Sequence, residues 1–171
     1  MKLIAAVDNN WGLGRNNRLL FHIPEDLRRF RSLTEHNTVV MGRKTLASLP
    51  GGKPLANREN IVLTRNPAFF AEGAHIATSV TQLKAMLLKE PFKTRETYLI
   101  GGAEIFAELL PYCSIALLTH ILADGRADRF LPLIIAHEDW KLEARSESHF
   151  YNGLEFYYAT YRNLKIASLI D

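Results

Sequence analysis

An α/β fold in one domain, with a largely parallel central sheet and an antiparallel C-terminal hairpin, follows from three features of this sequence. Short apolar runs recur along the chain without polar alternation, as expected of strands buried on both faces. Amphipathic stretches of helical period lie between them. No repeat, low-complexity segment or linker divides the chain, and its 171 residues suffice for one full core.

In chain order, LIAAV (Leu3–Val7) reads as the first buried strand. The stretch WGLGRNN (Trp11–Asn17) begins like a dinucleotide fingerprint, with Gly12 and Gly14. Asn17 stands where a third glycine belongs and no helical pattern opens there, so the Rossmann reading is rejected in favour of a mobile loop suited to cover a site. A helix over Pro24–Glu35 starts with a proline at its first position. Its residues Leu27, Phe30, Leu33 and Thr34 share one side, with Arg28, Arg29, Arg31 and Ser32 on the other. Strands follow at Thr38–Gly42, Asn60–Thr64, Thr97–Gly101 and Ile115–Ile121. A short helix follows Gly42, and helices at Val80–Lys89, with Leu83, Met86 and Leu87 inward, and at Ala103–Leu110 complete the alternation. The aromatic, β-prone segment Leu154–Arg162 comes directly after Asn152-Gly153, a hairpin turn signal. The domain is expected over residues 1–163, and 164–171 as an appended short helix or frayed tail.

Composition narrows the function classes. The chain is 47% hydrophobic and 23% charged with a formal net charge of +3, and its pI is about 9.1. This mild basicity suits anionic small molecules, and no dense Lys/Arg block points to nucleic acid. A single cysteine, Cys113, excludes a disulfide framework or a zinc cluster within one chain and fits a reducing, cytoplasmic setting. No targeting signal and no membrane-spanning run is read, so neither a membrane nor a nucleic acid is an expected partner.

Two strand–glycine–helix junctions, VVMGRKT (Val39–Thr45) and YLIGGAEIF (Tyr98–Phe106), could let a ligand approach the backbone and offer helix N–H groups to an anion. Two such junctions in one small domain, the first carrying Arg43 and Lys44, point to a pyrophosphate-bearing ligand. Neither is a P-loop. Asp26 is the other anomaly: it precedes Phe30 by four residues and so lies on the apolar side of its helix. Spacing alone leaves two readings open, an acid stabilised by the helix dipole or a functional carboxylate facing a ligand. Thr119 could orient it directly or through water, whereas His120 reads as a hydrogen-bonded strand histidine.

In this order the motifs LIAAV, GLGRNN, IPEDLRRF, VVMGRKT, RENIVLTR, YLIGGAEIF, LLTHI and FYYATYR resemble the dihydrofolate reductase family from about Leu3 to Arg162. The resemblance implies a mostly parallel eight-stranded sheet flanked by helices. It implies NADPH-dependent reduction of 7,8-dihydrofolate to tetrahydrofolate, with hydride transfer to C6 and solvent-assisted protonation of N5, in support of one-carbon metabolism and of thymidylate and purine synthesis. Asp26 would be the single acid of the pterin pocket and the catalytic group. Ile4, Ala5, Phe30 and Ile100 would line that pocket, with Thr119 behind the acid. Leu27 and Leu55 would pack on the aminobenzoyl ring, and Arg58 would hold the glutamate α-carboxylate. Ala6, Leu13 and Gly14 would meet the nicotinamide end of the cofactor. Gly101, Gly102, Ala103, Glu104, Ile105 and Phe106 would run along its middle. Arg43, Lys44 and Thr45 would bind phosphate, with Thr64 and Arg65 by the adenosine 2′-phosphate, and Gly42 and Leu63 would also belong to the cofactor site. Diaminopyrimidine or pteridine antifolates would be inhibitors, and the family resemblance suggests a monomer without a metal.

Three positions depart from the family pattern. Leu20-Phe21 replaces Pro-Trp and so lacks the indole N–H that helps hold a water. Ala56-Asn57 replaces Pro-Gly, which could re-aim the loop carrying Leu55 and Arg58. Glu104 places a negative charge where a basic or neutral residue is usual. A related reductase of riboflavin synthesis, often fused to a zinc deaminase, is the rival enzyme, but no His-x-Glu…Pro-Cys-x-x-Cys pattern is present. A nucleotide-sensing or RNA-binding module is the non-enzymatic rival, and it would be expected to lose Asp26 or the glycines.

Overall fold

Residues such as Val39, Val40 and Met41, consecutive and fully buried, can be satisfied only in a strand covered on both faces. The computed structural model, which describes residues 1–168, makes the apolar runs the centre of one sheet. Its elements are β1 (Lys2–Val7), β2 (Gly12–Arg15), β3 (Arg18–Leu19), α1 (Pro24–Thr34), β4 (Thr38–Gly42), α2 (Arg43–Ser48), β5 (Glu59–Leu63), β6 (His75–Ala77), α3 (Val80–Leu87), β7 (Thr97–Gly101), α4 (Ala103–Leu109), β8 (Ile115–Ile121), β9 (Arg129–Phe130), β10 (Trp140–Arg145), β11 (His149–Tyr151) and β12 (Leu154–Asn163). The strand order is β10-β12-β8-β1-β7-β4-β5-β6, with β11 paired on β12. From β8 to β6 all neighbours are parallel, whereas β12 runs antiparallel to β8 and to β10. The expected eight-stranded, mostly parallel sheet is present.

Alternation along each strand divides the core in two. Leu3 and Val7 of β1 join Val40, Ile61 and Leu99 with Leu83, Leu87 and Phe106 of the helices on one face. Ile4, Val39, Met41, Val62 and Tyr98 form the other, against Leu46 of α2 and Phe30 and Leu33 of α1. In parallel strands the carboxyl ends all point one way, so the loops after β1, β4, β7 and β8 meet at one edge.

Two features differ from the expectation. The segment read as a mobile loop is the β2–β3 hairpin, extended to a small three-stranded sheet by β9. Its turn works because Asn16 and Asn17 both adopt left-handed conformations, φ 49° and 60°, as asparagine tolerates. The tail over 164–168 is neither helical nor frayed: Leu164 donates to the Asp139 carbonyl and Ala167 to the Pro111 carbonyl, at 2.7 and 2.9 Å. The remainder of the expected tail, 169–171, lies outside the described residues. The Asn152-Gly153 signal holds, joining β11 to β12 with φ of 46° and 75°.

Candidate active site

Helix α1 begins with Pro24, and its cap residue Ile23 offers no side-chain hydrogen bond to the helix end. Asp26 does not fill that gap. Its carboxylate Oδ1 instead accepts from Thr119 Oγ1 at 2.5 Å, across from the end of β8. Asp26 also lies in the first turn of α1, where the helix dipole favours an acid, so the hydrogen bond to the sheet comes in addition to that stabilisation. Burial raises the Asp26 pKa above the ordinary carboxylate value; the Thr119 hydrogen bond and the Arg29 charge act against this, and Glu25 adds to it.

Asp26 opens into a cavity of about 690 Å³ between α1, α2 and the sheet edge. Ile4, Ala5, Leu27, Phe30, Leu55, Arg58, Ile100 and Thr119 line the same cavity, so it gathers every residue the resemblance placed around the substrate. A largely apolar slot with a half-buried carboxylate in its wall suits a flat heterocycle with a donor-bearing edge. Toward the mouth, Arg58 Nε donates to Thr34 Oγ1 at 2.9 Å and Nη1 to the Ala56 carbonyl at 2.6 Å. Burial lowers the Arg58 pKa from its usual value, with Glu35 opposing and Arg31 assisting.

The residues assigned to a cofactor are more dispersed. Ala6, Leu13 and Thr45 line the main cavity. Gly14 sits in the hairpin, its carbonyl accepting from Asp128 N at 3.0 Å. The two strand–glycine junctions do meet: a Cβ on Gly42 would stand 2.9 Å from Ile105 Cγ1, and one on Gly102 3.3 Å from Thr45 Oγ1. Gly42 is thus demanded by helix packing as well as by any ligand. Arg43 and Lys44 are exposed at the start of α2, and Ala103 and exposed Glu104 begin α4. Thr64 and exposed Arg65 follow β5. The side chains of Leu63 and Phe106 are in the core. Their main chain lies at the end of β5 and near the start of α4.

Arg31 needs a correction. Placed on the outer face by spacing, it lines the cavity with Glu35, and the two pair at 3.2 Å. The missed signal is the four-residue step from Leu27 to Arg31 to Glu35, which keeps all three on one helix face. Leu49 and Pro50 also line the cavity from the segment after α2, where no periodic pattern marks them.

The departures from the family pattern resolve locally. Asn57 adopts φ 56°, a conformation usually left to glycine, and its carbonyl accepts from His36 N at 2.7 Å, so Arg58 still reaches the cavity. Phe21 lines the cavity and packs with Ile23, Ile121 and Phe156, bringing no polar atom. His120 is a bonded strand histidine: Nε2 meets the Tyr161 hydroxyl at 3.0 Å and the ring stacks on Tyr157.

A family model for dihydrofolate reductase matches residues 1–163. The type 3 dihydrofolate reductase of Salmonella typhimurium is 39% identical over 132 residues, covering 77% of this chain and 78% of that protein. The Bacillus subtilis (strain 168) enzyme is 34% identical over 142 residues, covering 83% and 80%. Among solved structures, dihydrofolate reductase from Enterococcus faecalis complexed with NADP(H) and RAB-propyl superposes with a TM-score of 0.84 at 33% identity, covering 95% of each chain.

Proposed function

The chain belongs to the dihydrofolate reductase family, NADPH-dependent oxidoreductases, and from that premise we propose that its cleft reduces 7,8-dihydrofolate to tetrahydrofolate by hydride transfer to C6 and protonation of N5. One observation carries the reading: a half-buried carboxylate, Asp26, held by Thr119 beside the apolar residues Ile4, Ala5, Leu27, Phe30 and Ile100 of one cavity.

The residues present fit the cofactor. Ala6 and Leu13 supply an apolar wall of the cavity, and the adjoining glycine junctions carry little bulk. Arg43 and Lys44 are exposed at the start of α2, and Arg65 beyond β5, as cations for phosphate groups. When bound, NADPH supplies the hydride.

The chain's own contribution is binding, alignment and proton management. Asp26 accepts from the 2-amino group and N3 of the pterin, fixing the ring's orientation. Ile4, Ala5, Phe30 and Ile100 hold its faces and exclude water, while Leu27 and Leu55 hold the aminobenzoyl ring. Arg58 takes the glutamate α-carboxylate at the mouth. Asp26 contacts the ring edge remote from N5, so the proton for N5 comes from solvent entering beside the β2–β3 hairpin, and the carboxylate makes N5 more basic by polarising the ring. A carboxyl group whose pKa is raised by burial gives this polarisation a dependence on pH.

Following NADPH absorbance with dihydrofolate as acceptor tests the proposal. Substrate-dependent oxidation that is lost in Asp26→Asn is expected. Turnover of a ribosylated pyrimidine in preference to dihydrofolate would refute it.

A further inference from the structure

Behind Asp26, on the side away from the cavity, stands a cation without an obvious structural purpose. Arg29 is half-buried and lies three residues after Asp26, on the adjoining helical turn. Among the described residues its guanidinium has no carboxylate within ion-pair distance and no hydrogen bond. It stands over the face of Tyr158, with Cζ 4.3 Å from the ring centroid. Tyr158 lies opposite Thr119 in the β12–β8 ladder, so the same strand pair carries the ring under Arg29 and the hydroxyl on Asp26. A desolvated guanidinium left unpaired is costly, and burial lowers its pKa while Asp26 supports its charge.

The negative group nearby is held aside. Glu25 Oε1 accepts from the Tyr158 hydroxyl at 3.4 Å and meets His149 Nδ1 at 2.9 Å. The His149 ring stacks on Phe156 and tilts against Tyr158. Glu25 is thereby engaged from β11 and β12, while Arg29 and Asp26, one turn apart on α1, favour each other's charged form. The groups acting on the Asp26 carboxylate are then Glu25 and Arg29 from α1, Thr119 from β8 and Tyr158 from β12, with His149 of β11 acting through Glu25 and exposed His22 at the cavity wall.

We propose that Arg29, seated over the ring of Tyr158, is a positioning residue whose positive charge favours the ionised form of Asp26 from outside the cavity, against the burial that disfavours it. This rests on the assignment of Asp26 as the pterin acid. It deepens that assignment by naming what sets the acid's charge state. The arrangement separates two demands: hydrocarbon to receive a ring, and a cation to hold a carboxylate ionised. A cation inside the slot would oppose the donor edge of the ligand; one behind the helix does not.

Carboxyl ¹³C NMR titration of Asp26 in the ligand-free protein reads the proposal directly. Arg29→Gln is expected to move the Asp26 midpoint clearly upward, because a positive charge one helical turn away is lost. Arg29→Lys, which keeps the charge, should restore most of it. Tyr158→Leu removes the platform and should shift the midpoint the same way, whereas Tyr158→Phe keeps the ring and, with Glu25 still paired to His149, should shift it less. An Asp26 midpoint unchanged in Arg29→Gln overturns the proposal, and equal shifts in the two Tyr158 variants overturn the role given to the ring. The pH profile of kcat/KM for dihydrofolate should move upward with the titration. Because the titration needs no turnover, failure of the functional assignment shows up separately, as an Asp26→Asn protein that reduces dihydrofolate at the parent rate.

Discussion

Replacing Arg58 by alanine separates the substrate's tail from its ring. The guanidinium has five N–H groups, of which one is taken by Thr34 Oγ1 and one by the Ala56 carbonyl. Those two bonds orient it, and the remaining three suffice for one bidentate carboxylate contact. A charge-assisted contact of this kind contributes about 1.5–3 kcal/mol, which is about a 10- to 150-fold rise in the dissociation constant for dihydrofolate. Partial solvent exposure places the expected result in the lower half of that range. Arg58→Lys keeps the charge without the planar fork and should fall between parent and alanine variant. Thr34 keeps its own donor bond to the Phe30 carbonyl at 2.8 Å, so the fold should lose little. Equilibrium titration by quenching of protein fluorescence measures the affinity for dihydrofolate, for NADPH and for a pterin lacking the glutamate. Only dihydrofolate should lose affinity. Equal losses for dihydrofolate and NADPH would show that Arg58 props the loop rather than holding the tail.

Asp26→Asn should lower the hydride-transfer rate at pH 7 by about 100-fold or more, with partial recovery in acid, where solution protonates the substrate; stopped-flow NADPH oxidation across pH measures this. The same variant should melt higher than the parent at neutral pH. A carboxyl pKa raised in the folded state favours folding below the unfolded value of 3.8 and loses that contribution as pH rises through the folded pKa. Thermal melts should therefore show the variant's advantage shrinking toward acid. Thr119→Val removes the hydroxyl bonded to Asp26 and should raise the carboxyl titration midpoint further, at a stability cost of about 1–3 kcal/mol read by urea unfolding. NADPH should be preferred to NADH, moderately rather than absolutely. Arg65→Ala should narrow the ratio of kcat/KM values and Glu104→Gln should widen it, and parity in the parent would show that Arg43 and Arg65 do not serve the 2′-phosphate.

The central strands were legible because burial on both faces leaves only apolar residues, and β4, β7 and β8 fall on the boundaries the sequence suggests. The edges were not. β10, with the sequence WKLEAR, is exposed along most of its length, β6 has three residues, and β9 has two; none of these makes a pattern distinct from a loop. Asp26 was visible as a contradiction, a charge on an apolar face, which is how a site announces itself in a sequence otherwise consistent with its fold. Arg29 was hidden by the opposite effect. An arginine on the polar side of an amphipathic helix looks like ordinary solvation, and only the arrival of β12 from the far end of the chain brings Tyr158 under it.

The same separation between local pattern and distant closure explains the hairpin over the cleft. Its base is set by the Asp8 carboxylate, which is buried and accepts from the backbone N–H groups of Asn10, Gly12 and Gly125 at 2.9, 2.7 and 3.0 Å. A side chain on Gly12 would meet Ala127 Cβ at 2.3 Å, so the backbones at the base are locked together. At the tip the bonds are exposed: Asn16 N to Asp128 Oδ2 at 3.0 Å, and Asn17 Nδ2 to the Lys44 carbonyl at 3.1 Å. Exposed bonds exchange readily with water, whereas buried ones open only at the cost of a desolvated partner. Local opening is therefore least costly at the Asn16-Asn17 tip, next to the start of α2, and most costly at Asp8. On the proposed function, solvent for the protonation of N5 would enter at this outer rim, away from Ile4, Ala5 and Asp26.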